Sequence, residues 1–213
     1  MIELQNVSKE INGRNVLDNI SFCFENGKVY GLKGINGSGK TMLMRIISGL
    51  IYPTEGCITI DGKVLGKDCS FPESLGLLIE NPVFLDSYTG LKNLMLLASL
   101  KGECGKDMII KSLCKVGLEP NDKRKYRKYS LGMKQRLGIA AAIMENPQII
   151  LLDEPLNALD QEGVMLFTEI IREERKKDKV IVLSCHDEAK LNEYSDVIVE
   201  LENGRMIKAG EIK

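Results

Sequence analysis

The spacing of apolar residues changes character twice along the 213-residue chain. In the first third they come in short runs with polar punctuation. Ile2–Val7 and Ile20–Phe24 read as half-buried strands, and the Glu25-Asn26-Gly27 turn leads into a third run, Lys28–Leu32. From Lys40 the repeat lengthens to a helical one, with Leu43, Ile46, Ile47 and Leu50 on one face. Cys57–Ile60 then reads as a strand entering a hairpin turn at Asp61-Gly62. The middle of the chain predicts helices over Leu91–Leu100, Lys106–Val116 and Leu131–Glu145. After Pro147 short apolar strands return at Ile149–Leu152, Val180–Ser184 and Val197–Leu201. A helix of mixed charge, Gln161–Lys177, separates the first two, and an Asn203-Gly204 turn leads on to Arg205–Ile207. Strands alternating with helices predict an α/β fold with a mostly parallel sheet. The expected layout is one domain over 1–213, with its core in 1–81 and 147–213 and a helical subdomain inserted at 82–146.

One stretch carries specific chemistry. Gly34-Ile35-Asn36-Gly37-Ser38-Gly39-Lys40-Thr41 matches G-x-x-x-x-G-K-S/T, directly after a predicted strand and opening a predicted helix. Glycines let the backbone curl until successive N–H groups face phosphate oxygens, and the helix start adds its positive end. Lys40 is placed to reach the β- and γ-phosphates and the Thr41 hydroxyl to ligate Mg²⁺. The chain therefore predicts a P-loop NTPase core. A second signal fits the first: the apolar run Ile149–Leu152 ends in Asp153-Glu154. Asp153 suits Mg²⁺ held through water, and Glu154 is placed to polarise the water attacking the γ-phosphate. Alone, the two stretches could be a glycine turn and a helix cap; together and in this order they predict a nucleoside-triphosphate site.

The phosphate loop by itself does not choose among kinases, GTPases and transport ATPases. Tyr129-Ser130-Leu131-Gly132-Met133-Lys134-Gln135-Arg136, Asp153-Glu154-Pro155, Ala158-Leu159-Asp160 and His186 follow the loop in order. This set resembles the ATP-binding cassette (ABC) family over the whole chain, and no N-K-x-D guanine motif occurs. The resemblance implies a two-fold dimer in which the signature segment of one subunit closes on ATP held by the other. Ser130 and Gly132 would then contact the γ-phosphate in trans, although the usual form is Leu-Ser-Gly-Gly-Gln and Tyr129, Leu131 and Met133 depart from it. Asp160 would link the two nucleotide sites. His186 would hydrogen-bond the γ-phosphate and, with Glu154, complete the catalytic pair. Asn36, Gly37, Ser38, Gly39, Lys40, Thr41 and Met42 would hold the nucleotide, and Thr41, Glu80 and Asp153 the metal.

Further departures from the family pattern carry information. Ile11, with Val16 nearby, stands where an aromatic residue usually stacks on adenine, so base affinity should be weaker. Met42 replaces a hydroxyl that often touches the α-phosphate. Glu80 stands in place of the usual glutamine of the loop between the lobes. With Pro82 and Thr89-Gly90-Leu91-Lys92-Asn93-Leu94, it makes the chain similar to bacitracin- and lantibiotic-type export and self-protection ATPases.

Composition bounds the partners. With 29 Lys plus Arg against 30 Asp plus Glu, the formal net charge is −1, so no nucleic-acid partner is expected. No apolar run reaches the roughly 18–20 residues of a membrane span, and the start lacks the pattern of a secretory signal. The expected place is the cytoplasm, peripheral on the inner face of the membrane. The resemblance implies a homodimer or heterodimer working with separate transmembrane permease subunits, with ATP and Mg²⁺ as cofactors and export the expected direction. The rival readings are a soluble cassette ATPase acting on ribosomes, DNA or cofactor assembly, and a low-turnover sensing module. Six cysteines without a C-x-x-C pair read as reduced thiols used mostly as small core residues. The cluster Lys123-Arg124-Lys125-Tyr126-Arg127-Lys128 reads first as a solvated loop, then as a contact for anionic lipid or a membrane subunit, and last as one for nucleic acid.

Overall fold

Asn12 and Gly13, both at positive φ (51° and 75°), fold the first strand back on the second. They join β1 (Ile2–Ile11) to β2 (Arg14–Phe24) in one long antiparallel hairpin, of which the apolar pattern had shown only the two outer ends. The computed structural model describes residues 1–102 and 104–212. Along the chain follow β3 (Lys28–Lys33), α1 (Lys40–Ile47), β4 (Glu55–Ile60), β5 (Lys63–Val64) and β6 (Leu75–Leu78). The helices α2 (Gly90–Ala98), α3 (Lys106–Lys115) and α4 (Leu131–Ile143) come next. The core then resumes with β7 (Ile149–Leu152), α5 (Gln161–Arg175), β8 (Val180–Ser184), α6 (Glu188–Tyr194), β9 (Val197–Glu202) and β10 (Arg205–Glu211).

Two sheets organise these elements. The smaller is antiparallel with strand order β2-β1-β4-β5; the larger runs β10-β9-β3-β8-β7-β6 and is parallel except for β10 at its edge. Strands β7 and β8 are buried at every position, as expected of parallel strands covered on both faces. Their side chains divide by the two-residue period of the pleat. Ile150, Leu152, Ile181 and Leu183 face a core shared with α4, α5 and α6. Ile149, Leu151, Val180 and Val182 face the other, shared with α1 and the small sheet.

The helical segment is bound to the sheet at close range. Gly76 in β6 lies against α4, where an added Cβ would sit 1.8 Å from the Ala142 carbonyl oxygen. Pro82, Gly90 and the stretch before α4 are also stitched together: the Tyr126 hydroxyl donates to the Pro82 carbonyl (2.5 Å), and the Gly90 N–H donates to the Tyr129 hydroxyl (3.3 Å). Tyr126 is buried, so the one aromatic of the basic cluster belongs to the core.

Several local expectations are corrected. Leu50 lies beyond α1, which ends at Ile47 before Gly49 turns the chain at φ 79°, and it is exposed. All six cysteines are free thiols and none is fully buried; Cys69, Cys104 and Cys185 pack half-buried against the cores, whereas Cys23 and Cys114 are exposed. Strand β6 and helix α6 had no clear pattern of their own, being four and seven residues long. The Gly76→Ala variant should lose about 1–3 kcal/mol of unfolding free energy, because the helix backbone cannot give way to the methyl group. Urea unfolding monitored by far-UV circular dichroism measures it.

Candidate functional site

Strands β3, β7 and β8 end on the same edge of the parallel sheet, and the loops leaving them meet there. In the loop after β3, Gly34, Gly37 and Gly39 all have positive φ (155°, 80° and 110°). At Gly39 an added Cβ would come within 2.7 Å of Leu17 and 3.2 Å of the Val16 carbonyl, so the turn has no room for one. The loop opens directly into α1 without a side-chain cap, leaving the first N–H groups of the helix available to an anion. Lys40 is buried and its ammonium group donates to the Gly34 and Ile35 carbonyls (2.6 and 3.1 Å), folded over the loop that it closes. The Ser38 hydroxyl is buried there without any hydrogen-bond partner.

Asp153 anchors the opposite wall. Its carboxylate accepts from the Thr41 hydroxyl (2.6 Å) and from the Ser184 hydroxyl (2.6 Å). Ser184 in turn accepts from the Glu154 N–H (2.9 Å), so one hydroxyl spans the two carboxylate residues. Glu154 holds φ 48°, a region costly for a side-chain residue and common where function over-determines the backbone. Its Oε2 accepts from the His186 N–H (3.2 Å), and its Oε1 stands 3.5 Å from His186 Nε2, beyond a good hydrogen bond.

These groups line a cleft of about 290 Å³ that brings together Val16, Asn36, Gly37, Gly39, Lys40, Thr41, Met42, Glu80, Asp153, Glu154 and His186. Ile11 is not in that lining. It pairs with Arg14 across the hairpin turn, and the apolar cover in the lining is Val16 of the returning strand. A second cleft of about 480 Å³ shares His186 but is framed by Cys185, Leu201, Ile207 and the Lys33–Glu188 pair. The smaller one holds the phosphate loop and both acidic residues. Glu80 enters it with φ 56° and is paired to Arg45 of α1 (2.5 Å).

The signature residues lie outside the cleft of their own chain. Ser130 caps α4 by accepting from the Met133 N–H (3.2 Å), and both Ser130 and Leu131 are exposed. Gly132 approaches the loop after Glu154: an added Cβ would be 2.8 Å from the Ala158 carbonyl. Asp160 caps α5 by accepting from the Gly163 N–H (2.9 Å) and pairs with Arg136 (2.5 Å). These two contacts, the N–H foremost, hold its carboxyl below the ordinary range.

Four contributors escaped sequence reasoning. Ser184 and Arg45 carry the bridging contacts just described. Gln135 donates to the Glu154 and Pro155 carbonyls (3.2 and 3.1 Å), and Arg136 joins α4 to Asp160. Gln135 and Arg136 stood inside the quoted signature stretch. Ser184 is only the last residue of the apolar run Val180–Ser184, and nothing in its spacing singles it out.

A phosphate loop on the edge of a parallel sheet, faced by a strand-end Asp-Glu pair and a histidine, defines the class as a P-loop ATPase. The family model described as "ABC transporter" matches residues 17–157. An uncharacterised ABC transporter ATP-binding protein of Bacillus subtilis (strain 168), YybJ, is 48% identical over 97% of this chain and 94% of its own length. The bacitracin transport ATP-binding protein BcrA of Enterococcus faecalis is 35% identical over 98% of this chain and 68% of its own. The lantibiotic transport ATP-binding protein SrtF of Streptococcus pyogenes is 34% identical over 97% and 89%. Among solved structures, an ATP-binding subunit of an ABC transporter superposes with TM-score 0.90 at 29% identity, covering all of this chain and 90% of that one. The chain belongs to the ABC transporter family and is an ATP-binding subunit and ATPase of it. Cassettes of this family function as dimers with transmembrane subunits; among the described residues no helix is long and apolar enough to cross a membrane.

Replacing Ser184 by Ala leaves one Asp153 oxygen and the Glu154 N–H without their shared partner. ATPase kcat should fall at least about tenfold, alongside a loss of roughly 1–3 kcal/mol of stability. Steady-state phosphate release and urea unfolding on one preparation measure both.

Proposed function

We propose that this protein powers export through separate membrane subunits by closing as a dimer on two molecules of Mg-ATP, with peptide antibiotics as the class of cargo. The carrying observation is the Thr41–Asp153–Ser184–Glu154 chain of hydrogen bonds, which sets a hydroxyl, a strand-end carboxylate and a second carboxylate beside the phosphate loop. The oxygen donors Thr41 and Asp153 suit Mg²⁺, a hard cation that keeps several waters and takes few protein ligands. Glu80, on the cleft wall, is the third candidate ligand. Bound there, the ion would offset charge on the phosphates; the protein's own groups do the remaining work.

The loop N–H groups and Lys40 would hold the phosphates, and the unpartnered Ser38 hydroxyl has donor capacity for one of their oxygens. Glu154 would accept a proton from the attacking water, with His186 beside it as the sensor of the γ-phosphate. Ser130, exposed, and Gly132, half-buried, both lie outside their own cleft and suit a role in trans, and Asp160 suits the link between the two sites. Val16 would lie against the base, with Ile11 further out, and Met42 would contribute its N–H. The division into a core of 1–81 and 147–213 and a helical subdomain of 82–146 gives the closing motion two bodies. The export reading draws on the relatives named for bacitracin and lantibiotic transport, and on Glu80 in place of glutamine. It places the protein on the inner face of the membrane.

The Glu154→Gln variant should bind ATP, lose nearly all turnover and accumulate as a dimer in ATP and Mg²⁺. A variant that stays monomeric by light scattering at saturating nucleotide refutes the sandwich mechanism. Glu80→Gln should keep nucleotide affinity and change the coupling of hydrolysis to peptide resistance. Unchanged ATPase rate, Mg²⁺ dependence and resistance in cells would remove that role.

A further inference from the structure

How a loop binds phosphate depends on which way each of its peptide planes faces. In a trans peptide the C=O and the following N–H point in opposite directions, so whatever holds the carbonyl also aims the N–H. None of the described peptide bonds is cis. In the loop after β3 one carbonyl is held from outside: that of Ser38 accepts from the Gly204 N–H (3.0 Å). The Gly39 N–H belongs to the same peptide plane and is thereby aimed away from Gly204. Gly39 lines the nucleotide cleft, and among the described residues no backbone carbonyl accepts its N–H.

Gly204 comes from the far end of the chain. With Asn203 it makes the two-residue turn joining β9 to β10, both residues at positive φ (48° and 78°) as a tight hairpin of this kind requires. The turn is wedged between the phosphate loop and β2, the strand that carries Val16. Gly204 is buried there, and its carbonyl accepts from the Asp18 N–H of β2 (2.9 Å). An added Cβ would fall 2.5 Å from the Val16 carbonyl oxygen and 3.1 Å from the Leu17 Cα, so the neighbours are backbone and no side chain fits. An exposed ion pair closes the contact from outside: the Arg205 Nε–H donates to Asp18 Oδ2 (2.7 Å). Neither Arg205 nor Asp18 lines the cleft.

We propose that Gly204 is a positioning residue for ATP. Tied to β2 through its carbonyl and through the Arg205–Asp18 pair beside it, Gly204 holds the Ser38 carbonyl so that the Gly39 N–H faces the phosphates. The same two hydrogen bonds fix the distance between the phosphate loop and the Val16 wall. This role rests on the reading of the cleft as the nucleotide site, and on neither export nor dimer closure. Gly204 acts through the loop and lies away from Glu154 and His186, so its loss should weaken nucleotide binding more than it slows the chemical step.

Steady-state phosphate release by the full-length protein over a range of Mg-ATP concentrations tests it, with urea unfolding of the same preparations. Gly204→Ala is expected to raise KM for ATP about tenfold or more while kcat changes by less than about threefold. A second set of variants leaves the glycine in place. Asp18→Arg and Arg205→Asp should each raise KM about two- to fivefold, as an exposed ion pair allows. The double variant, which restores the pair with its charges exchanged, should return KM to within about twofold of the unaltered protein. If Gly204→Ala does not fold, this exchange decides alone. A KM unmoved in the variants, with stability alone reduced, overturns the positioning role, and so does a double variant no better than the worse single one. An unaltered protein that neither binds nor hydrolyses ATP would instead remove the nucleotide reading, and this role with it.

Discussion

The site depends on one buried carboxylate, Asp153, which cannot remain in the interior without donors. It takes two, both hydroxyls, from different elements: Thr41 at the head of α1 and Ser184 at the end of β8. The strand order explains why these two are available. β8 lies between β3 and β7, so the residue at its end stands between the phosphate loop and the acidic pair. Because Ser184 also receives the Glu154 N–H, satisfying Asp153 places the neighbouring carboxylate as well. Its backbone is held in a left-handed turn that would be unfavourable elsewhere.

A second set of contacts carries that arrangement outward. Gln135 reaches the carbonyls of Glu154 and Pro155, and Arg136 reaches Asp160, both from the first turns of α4. The helix that starts at Leu131 is therefore hydrogen-bonded to the loop bearing Glu154. Ser130, meanwhile, remains exposed at the helix start, capping it and lying outside its own cleft. Contacts thus run from the loop after β7 to the exposed start of α4. The close approach of Gly76 to α4 keeps this helix seated on the edge strand while the loops carry the chemistry.

The two parts of the chain also divide the electrostatics. The core concentrates acidic residues and pairs many of its cations, whereas in the helical segment Lys92 and Lys134 lie over the Tyr88 and Tyr126 rings with no carboxylate partner among the described residues. Burial of Tyr126 and Tyr129 supplies the rigidity that holds so many like charges together. Glu80 adds a carboxylate to a cleft already lined by Asp153 and Glu154, and Arg45 lies against it. The charge that departs from the family's usual glutamine is therefore offset within the same chain.

Features written in consecutive residues were legible without coordinates. The glycine loop, the strand-end Asp153-Glu154 pair, the buried runs of β7 and β8 and the helical middle each depend on neighbours within a few positions. Local periodicity and turn chemistry specify them. The signature stretch was legible in the same way, as an ordered set of motifs. What the sequence left open were relations between residues far apart in the chain. Strand order chose Ser184 as the bridge, and the folding back of the long hairpin brought Val16 of its second strand to the cleft wall. Packing left the cysteines short of full burial and made Tyr126 a core residue inside a charged run. A contact across 30 or more residues leaves no period and no spacing to read, because it exists only once the sheet has chosen which strands are neighbours.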